Sequence, residues 1–372
     1  MNKNNNEHLI IFGGAGYAGT FIVYDLIEKF PNSKITIVTR NLTKKIFFRQ
    51  ENVSVINDIS KIKNEQIRIV NLAFSLHKTF QETKASNNLL FQNIEKIIKN
   101  NTVNSFVHVS TIVLTQSFGL KIPKIRKNNM YEFSKSIAEN NCKKIAKKYS
   151  LNVNILRSGN ILGPGSPWIE KIAKRLIEEK PILGLSDSYP SNTTFIGNLS
   201  YAIIRLLNQK SDKSKITLMN FCEFGDISWH DWVEEVNKSL NRKIKFWPIH
   251  SLNQIKIGYY YDFLYVFRQS ISFIIPIAYK TKKIKSLILK LIDLFSLSQV
   301  EKKAKGSIKN IEKTKSEYYD GTEYSLQGVF MYEKSNKLEN VPDEIIKNLP
   351  FDIKYVKNSI NSWINFSGMH NL

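Results

Sequence analysis

The segment Leu9–Gly19 reads LIIFGGAGYAG and constrains the fold more than any other part of the chain. An apolar run long enough for one buried strand precedes clustered glycines and an amphipathic stretch, which predicts a strand, a tight turn and a helix. In that context Gly13 allows the turn, Gly16 lets the backbone approach a pyrophosphate, and Gly19 lets helix and strand pack closely. The segment, including Tyr17, therefore predicts a dinucleotide site at a helix N-terminus. The alternative is that the glycines only punctuate a turn.

Further apolar stretches alternate with helical patterns along the first half of the chain. Strands are predicted at 34–40, 53–56, 67–73, 106–109 and 153–157, and helices at 86–99 and 131–149. This alternation is typical of an α/β fold with a doubly wound parallel sheet of the Rossmann type. Because ligands bind beyond the carboxyl ends of such strands, Gly13, Ala73, Thr111 and residues 157–160 are expected to converge.

The end of the second predicted strand indicates which dinucleotide binds. An acidic residue there accepts a hydrogen bond from the ribose 2′-hydroxyl of NAD, whereas an Arg accommodates the 2′-phosphate of NADP. The chain has Thr39-Arg40 and no acid at this point. This favours NADP, with NAD as the alternative because an Arg also lies over adenine with either cofactor. After the third strand, Asp58 either accepts from the adenine amino group or is a plain turn residue.

Tyr131 and Lys135 form a Y-x-x-x-K pattern at the start of a predicted helix. A spacing of four puts both side chains on one helix face. An ammonium beside a phenol stabilises the phenolate, which predicts that the pKa of Tyr131 falls toward neutrality. Such a tyrosine exchanges a proton with a carbinol or carbonyl oxygen that Thr111 or Ser110 also holds. Hydride transfer at C4 of a nicotinamide is the natural partner of this proton transfer.

In this order the motifs resemble those of the extended short-chain dehydrogenase/reductases, particularly the NAD(P)-dependent sugar-nucleotide epimerase/dehydratase group. The resemblance spans about residues 8 to 240 and is carried by GGAGYAG, Asp58-Ile59, Asn71-Leu72-Ala73, Val109-Ser110-Thr111, YEFSK with Ala138-Glu139, and LRSGNILGPG from Leu156 to Gly165. It implies that Tyr131 is the acid/base, that Lys135 binds the nicotinamide ribose, and that Thr111 is the catalytic hydroxyl. It also places Asp58, Ile59 and Ala73 at the cofactor, and Asn160 near the substrate.

Two departures from that group narrow the reaction. Its dehydratases usually carry Asp-Glu directly after the catalytic threonine, where this chain has Ile112-Val113. This argues against a dehydratase and leaves an epimerase or a simple reductase. The group's Val-Asp-Asp-Val element is replaced by residues 196–199, IGNL, so a charged contact is expected to be lost there.

The second half of the chain is predicted to be a smaller substrate domain followed by a helical basic tail. The expected division is 1–165 for dinucleotide binding, 166–250 for a substrate-binding part interleaved with the sheet, and 251–372 for the extension. Residues 259–279 are rich in aromatic and aliphatic side chains, and residues 282–295 form a basic amphipathic pattern. The two together resemble an interfacial membrane anchor, and the alternative is an apolar face that packs on the protein. One or two closing helices are expected over 341–366, anchored by Trp363.

Charge and cysteine content exclude some classes of protein. The net charge of +22 favours anionic partners or a solvated lysine-rich surface, and no nucleic-acid module is recognisable. Two cysteines without a C-x-x-C pair, and histidines without ligand spacing, predict neither disulfide nor metal site. The polar N-terminus lacks a signal-peptide core, so a cytoplasmic protein is expected, with peripheral attachment to the inner membrane face as the alternative.

The leading prediction is an NAD(P)-dependent oxidoreductase or epimerase of a nucleotide- or lipid-linked sugar, with a sugar nucleotide as the favoured substrate. Two alternatives stay open. One is a membrane-associated reductase or dehydrogenase of an isoprenoid or sterol-like alcohol. The other is a non-catalytic, cofactor-binding regulator, against which the intact Thr111, Tyr131 and Lys135 argue. A homodimer is neither required nor excluded.

Overall fold

The structure is a computed structural model of the 372-residue chain. It describes residues 7–40, 42–43, 48–63, 65–77, 79–114, 130–180, 182–184, 190–209, 215–244, 246–248 and 338–368. The predicted loop before Tyr131 and the segment 259–295 lie outside these residues. Among the helices that are described, none is long and apolar enough to cross a membrane.

The described residues contain eleven strands, of which seven form the central parallel sheet and four form two small pairs. In chain order the strands are β1 His8–Phe12, β2 Ile35–Val38, β3 Val53–Ile56, β4 Gln66–Asn71, β5 Thr102–Thr111, β6 Val153–Ser158, β7 Asn160–Leu162, β8 Ile182–Gly184, β9 Thr193–Phe195, β10 Ile216–Phe221 and β11 Phe246–Pro248. The sheet order is β10-β6-β5-β4-β1-β2-β3, and β7 with β9 and β8 with β11 form two small parallel pairs. The chain therefore starts in the middle, runs to one edge, and returns to β4. This reversal between β1 and β4 is where doubly wound sheets bind their ligands.

Helices cover both faces of the sheet. They are α1 Tyr17–Lys29, α2 Phe80–Lys99, α3 Met130–Tyr149, α4 Pro167–Ile177, α5 Ile196–Asn208, α6 Trp229–Leu240, α7 Asp343–Lys347 and α8 Ile353–Phe366. Strand β1 is buried throughout: Leu9 and Ile11 pack in one core with α1 and α5, while Ile10 and Phe12 pack in a second core with α2 and α3. A strand buried on both faces needs the continuous apolar run that the sequence shows. The predicted doubly wound α/β fold is confirmed.

Helix α2 is the element whose predicted bounds were furthest from the structure. It begins at Phe80, six positions before the predicted start at Ser86. Thr79 caps it, and its side chain accepts a hydrogen bond from the backbone N–H of Glu82. The first two turns are polar, so apolar periodicity gave no sign of them, whereas a Thr three residues before Glu is a recognisable capping pattern.

The last described residues return to the body of the protein. Val341, Ile345, Val356 and Ile360 are buried in the same core as α1 and α5. Both groups of the Asn198 amide hold the backbone of Phe351, with its Nδ2 donating to the carbonyl at 2.8 Å and its Oδ1 accepting from the N–H at 3.1 Å. The expected closing helices are present, and Trp363 packs against Gly165. This end of the predicted extension is thus continuous with the dinucleotide-binding body.

Candidate active site

The turn between β1 and α1 needs two of its glycines for the fold itself. Gly13 has φ +79°, and a Cβ there would lie 2.7 Å from the backbone nitrogen of Ala73. A Cβ on Gly19 would collide with the carbonyl oxygen of Gly13 and lie 2.7 Å from Gly14 Cα. The turn is therefore pressed against both the start of α1 and the end of β4, as the motif predicts.

Gly16 is different, because the fold does not require a glycine there. It caps α1 with an ordinary φ of −84° and no side-chain hydrogen bond. A Cβ at this position would meet only the carbonyl oxygen of Gly13, at 3.6 Å, which is ordinary contact. Backbone strain and crowding therefore do not account for this glycine. A close approach by a phosphate to the helix N-terminus does account for it, so the turn fits a dinucleotide.

Arg40 and Asp58 lie at the carboxyl ends of the neighbouring strands β2 and β3, and both are exposed. The N–H of Thr39 donates to the carbonyl of Ile56 at 2.9 Å and ties these two ends together. One carboxylate oxygen of Asp58 accepts from the N–H of Ser60 at 2.9 Å, which lowers the pKa of this group. The turn role of Asp58 is therefore present, and its contact with adenine stays a prediction. Ile59 is half-buried against the core.

Thr111 and Tyr131 are brought together at the end of β5. The Tyr131 hydroxyl is hydrogen-bonded to the Thr111 side chain. Burial raises the pKa of Tyr131, and this hydrogen bond lowers it by less. Ser110, the other candidate hydroxyl, donates to a carboxylate oxygen of Glu139 at 2.6 Å. The structure thus separates the two alternatives: Thr111 is the hydroxyl beside the tyrosine.

Lys135 lies one turn after Tyr131 but does not lower the pKa of the phenol as expected. Its ammonium donates to the carbonyl oxygen of Val109 at 3.2 Å and lies 5.9 Å from the centre of the Tyr131 ring. The ammonium faces the ring and not the hydroxyl, so burial dominates and the predicted fall is wrong for this structure. Burial also lowers the pKa of Lys135 to about 8, although Glu139 and Cys142 raise it.

A buried ion pair joins α3, the helix that carries Tyr131 and Lys135, to β6. Arg157 on β6 makes two hydrogen bonds of 2.7 Å with the two carboxylate oxygens of Glu139 on α3. The side chains are only 12% and 4% exposed. Glu139 and Arg157 belong to two separate sequence motifs. Neither motif predicts that their side chains form an ion pair.

The segment after β4 joins the glycine turn to the tyrosine. Asn71 Oδ1 accepts from the N–H of Ala73 at 3.0 Å, and the next residue, Phe74, packs edge-on against Tyr131 with ring centres 5.4 Å apart. Ser134 on α3 donates to the carbonyl of Ser75 at 3.0 Å. The sequence predicted Ala73 at this site but missed Phe74, whose position directly after Ala73 was the available signal.

Asn160, which follows β6, and Tyr17, the first residue of α1, have their described contacts outside the Thr111–Tyr131–Lys135 cluster. The Asn160 amide donates to the carbonyl oxygen of Ser191 at 2.6 Å, so it holds the chain that leads into β9. The Tyr17 hydroxyl lies beside Gly163, where a Cβ would be 3.0 Å away, and burial raises its pKa. The substrate role of Asn160 stays a prediction. Within the part of the chain described, no group of three His, Cys, Asp or Glu side chains is arranged for a metal ion.

The sheet order, the glycine turn and the Thr-Tyr-Lys cluster together define an enzyme of the extended short-chain dehydrogenase/reductase type. Residues 9–216, more than half of the chain, match the model of the NAD dependent epimerase/dehydratase family. The chain therefore belongs to this family, whose chemistry uses a nicotinamide cofactor. A search of the curated proteins finds no match.

Solved structures share the fold at low sequence identity. UDP-glucuronic acid 4-epimerase from Bacillus cereus, solved with UDP-glucuronic acid and NAD, is 17% identical, with 66% of this chain and 87% of that chain covered at a TM-score of 0.54. Epimerase Mth375 from Methanothermobacter thermautotrophicus is 15% identical, with 65% and 80% covered at 0.53. UDP-N-acetylglucosamine 4-epimerase from Methanobrevibacter ruminantium, solved with UDP-N-acetylmuramic acid, is 18% identical, with 66% and 85% covered at 0.50.

Proposed function

We propose that this protein is an NAD(P)-dependent epimerase or reductase of a secondary alcohol or ketone on a nucleotide-linked sugar, with Tyr131 as the acid/base. One juxtaposition carries the proposal. Gly13 is pressed against Ala73, and the next residue, Phe74, contacts Tyr131, so two consecutive residues separate the dinucleotide turn from the tyrosine. A cofactor lying on the turn would therefore extend toward Tyr131.

Each residue of the cluster has a distinct role in this proposal. A nicotinamide cofactor held by the Gly13–Gly19 turn and Lys135 would supply hydride to the carbon that bears the reacting oxygen, or would accept hydride from it. Tyr131 gives a proton to that oxygen or takes one from it, and Thr111 hydrogen-bonds to the same oxygen. Because its pKa is raised, Tyr131 is protonated at neutral pH and is ready to protonate a ketone. Lys135 holds the nicotinamide ribose and supplies positive charge beside the phenol.

The adjacent 112–114 turn favours these reactions over dehydration. Ile112 is buried, and the Val113 N–H lies 3.4 Å from Thr111 Oγ1. Elimination of water from a sugar needs an acid and a base beside the catalytic threonine, and these two side chains are aliphatic. An epimerase or a simple reductase needs no further titratable group at this point.

The names of the structural neighbours supply the substrates for a first test. Purified protein with NAD or NADP is incubated with UDP-glucuronic acid, UDP-N-acetylglucosamine or UDP-N-acetylmuramic acid, and the sugars are analysed by proton NMR. We expect the 4-epimer of one of them or, for a reductase working in its oxidative direction, a stoichiometric rise in absorbance at 340 nm as the sugar alcohol is oxidised and NAD or NADP is reduced. If neither change occurs with any of these sugars and both cofactors, the sugar-nucleotide proposal is wrong.

Substitution of Gly16 by Ala tests whether a pyrophosphate approaches the turn. The fold accepts this change, so we expect the free energy of unfolding to fall by about 1 kcal/mol or less, the difference between Gly and Ala at an N-cap. A methyl group in the space of a phosphate costs about 1–3 kcal/mol, so the Kd for NADH should rise roughly 5- to 150-fold. Isothermal calorimetry and thermal melting give the two quantities.

Gly19→Ala is the matched control for this substitution, because its Cβ would collide with backbone and not with ligand. It should lower the melting temperature, which Gly16→Ala should leave nearly unchanged. Wild-type NADH affinity in a folded Gly16→Ala protein would show that no phosphate lies against Gly16.

Substitution of Arg40 by Ala tests the preference for NADP. An Arg–phosphate hydrogen bond contributes about 1.5–3 kcal/mol, so the Kd for NADPH should rise roughly 10- to 100-fold while that for NADH changes by less than about twofold. Arg49→Ala is the control, since Arg49 is also exposed but precedes β3, at the amino ends of the strands, whereas Arg40 follows β2 at their carboxyl ends. Equal losses for both cofactors would assign Arg40 to adenine, and no loss would remove it from the site.

Three finer points stay predictions beside this proposal. They are contact of residues 259–295 with a membrane surface, association into a homodimer, and a lipid-linked or hydrophobic alcohol as the substrate in place of a sugar nucleotide.

A further inference from the structure

Phe74 occupies a place that neither the sequence motifs nor the proposed reaction assigns. Its ring centre lies 4.2 Å from the Lys135 ammonium and 5.4 Å from the Tyr131 ring centre, at an interplanar angle of 81°. A cation within about 6 Å of an aromatic face is attracted by the ring, most strongly where water is excluded. Lys135 is 4% exposed, so this interaction takes place out of water.

The backbone on either side of Phe74 is fixed. Ala73 donates its N–H to Asn71, and Ser75 donates its N–H to Asn87 Oδ1 at 3.1 Å. The carbonyl of Ser75 accepts from Asn87 on α2 and from Ser134 on α3, at 2.8 and 3.0 Å. Ser134 precedes Lys135 directly, so the segment that carries the ring is bound to the same turn of helix that carries the ammonium. The ring position is therefore determined by the fold.

We propose that Phe74 is a positioning residue that holds the Lys135 ammonium and the Tyr131 ring in their reactive arrangement. The face of its ring stabilises the charged form of the lysine, and its contact with the tyrosine ring restricts the rotation of the phenol. This inference rests on the proposed function and adds to it a residue in the segment after β4 that contacts both Tyr131 and Lys135. Because Phe74 is 36% exposed, replacing it removes the ring without opening a closed core.

The charge on Lys135 is the direct readout of this role. Burial lowers its pKa to about 8, so the ammonium is lost as the pH rises through that region. The other titratable or charged groups around it are Glu139 and Cys142 on α3, His108 on β5, Tyr131, and Arg157, which is paired with Glu139. All of these groups are retained in every Phe74 variant, so a difference in the pKa of Lys135 between ringless and ring-bearing variants is assigned to the ring.

The experiment measures this pKa in the full chain by NMR of protein labelled with ¹⁵N-lysine, in which a protected ammonium is observable and Lys135→Arg identifies its signal. In Phe74→Leu we expect the pKa to fall by about one unit, which is the size of a desolvated cation–π interaction. Phe74→Tyr keeps the ring and should keep the wild-type value. Phe21→Leu is the control, since Phe21 is 37% exposed but lies on α1 against Tyr17.

Phe74→Met serves as a second ringless variant if Phe74→Leu does not fold. An unchanged pKa of Lys135 in a folded ringless variant overturns the proposal. The measurement requires neither cofactor nor substrate, so its failure is separate from failure of the proposed function. Where a sugar nucleotide is turned over, the alkaline limb of kcat/KM should move to lower pH by the same one unit, and an unmoved limb would also contradict the positioning role.

Discussion

Replacing Tyr131 by Phe is expected to abolish nearly all turnover while leaving the fold and the cofactor affinity intact. The change removes one hydroxyl, which is hydrogen-bonded to Thr111, and keeps the ring that packs against Phe74. A positioned general acid/base contributes about 10²- to 10⁴-fold to a rate, so kcat should fall by roughly a thousandfold. Turnover of the sugar nucleotide that the wild type accepts measures kcat, and NADH fluorescence measures the Kd, which should stay within about twofold.

The same helix offers a matched control. Tyr149 ends α3, and its hydroxyl donates to a carboxylate oxygen of Glu95 at 2.7 Å, away from the site. Tyr149→Phe also removes one phenolic hydroxyl and should retain wild-type turnover. If Tyr131→Phe retains turnover as well, another group transfers the proton. If the wild type binds NADH and the Tyr131→Phe variant keeps every biological activity, the regulator alternative gains support.

The sheet was predictable because its strands are encoded locally. A strand buried on both faces must be apolar throughout, and residues 9–12 show this directly. The glycine turn was predictable for a related reason, since Gly13 and Gly19 occupy positions where any side chain meets backbone. The constraint on Gly19 acts between near neighbours in the sequence, and the positive φ of Gly13 is a local property of its turn, so the sequence displays both.

The candidate site was predictable in its members but not in its contacts. Spacing places Tyr131 and Lys135 on one helix face, but it does not say that the ammonium contacts Val109 and the Phe74 ring and not the phenol hydroxyl. Nor does it show that Ser110 is engaged by Glu139, which leaves Thr111 beside the tyrosine. Such contacts join segments far apart in the chain, and they depend on how strand ends and loops pack.

The Glu139–Arg157 pair is the contact of this kind on which stability should depend most. Arg157→Leu leaves the Glu139 carboxylate buried. Among the residues that the structure describes, the Ser110 hydroxyl is then its remaining hydrogen-bond donor. Removing one member of a buried ion pair costs about 3–5 kcal/mol, because the other charge stays out of water. We expect a loss of this size in the free energy of unfolding, measured by urea denaturation followed by circular dichroism.

Two further variants separate this cause from loss of packing. Glu139→Met combined with Arg157→Leu removes both charges, and replacing a buried pair by apolar groups is often neutral, so the double variant should regain most of the lost stability. Lys148→Leu breaks an ion pair with Glu95 at the surface, where Lys148 is 59% exposed, and should change the denaturation midpoint little. Equal instability of the single and double variants would mean that the Arg157 side chain stabilises the protein through its packing and not through its charge. Burial of the Glu139 carboxylate without its ion-pair partner would then cost little free energy. Arg157 would stabilise the neighbouring ends of β5 and β6 only through the volume of its side chain.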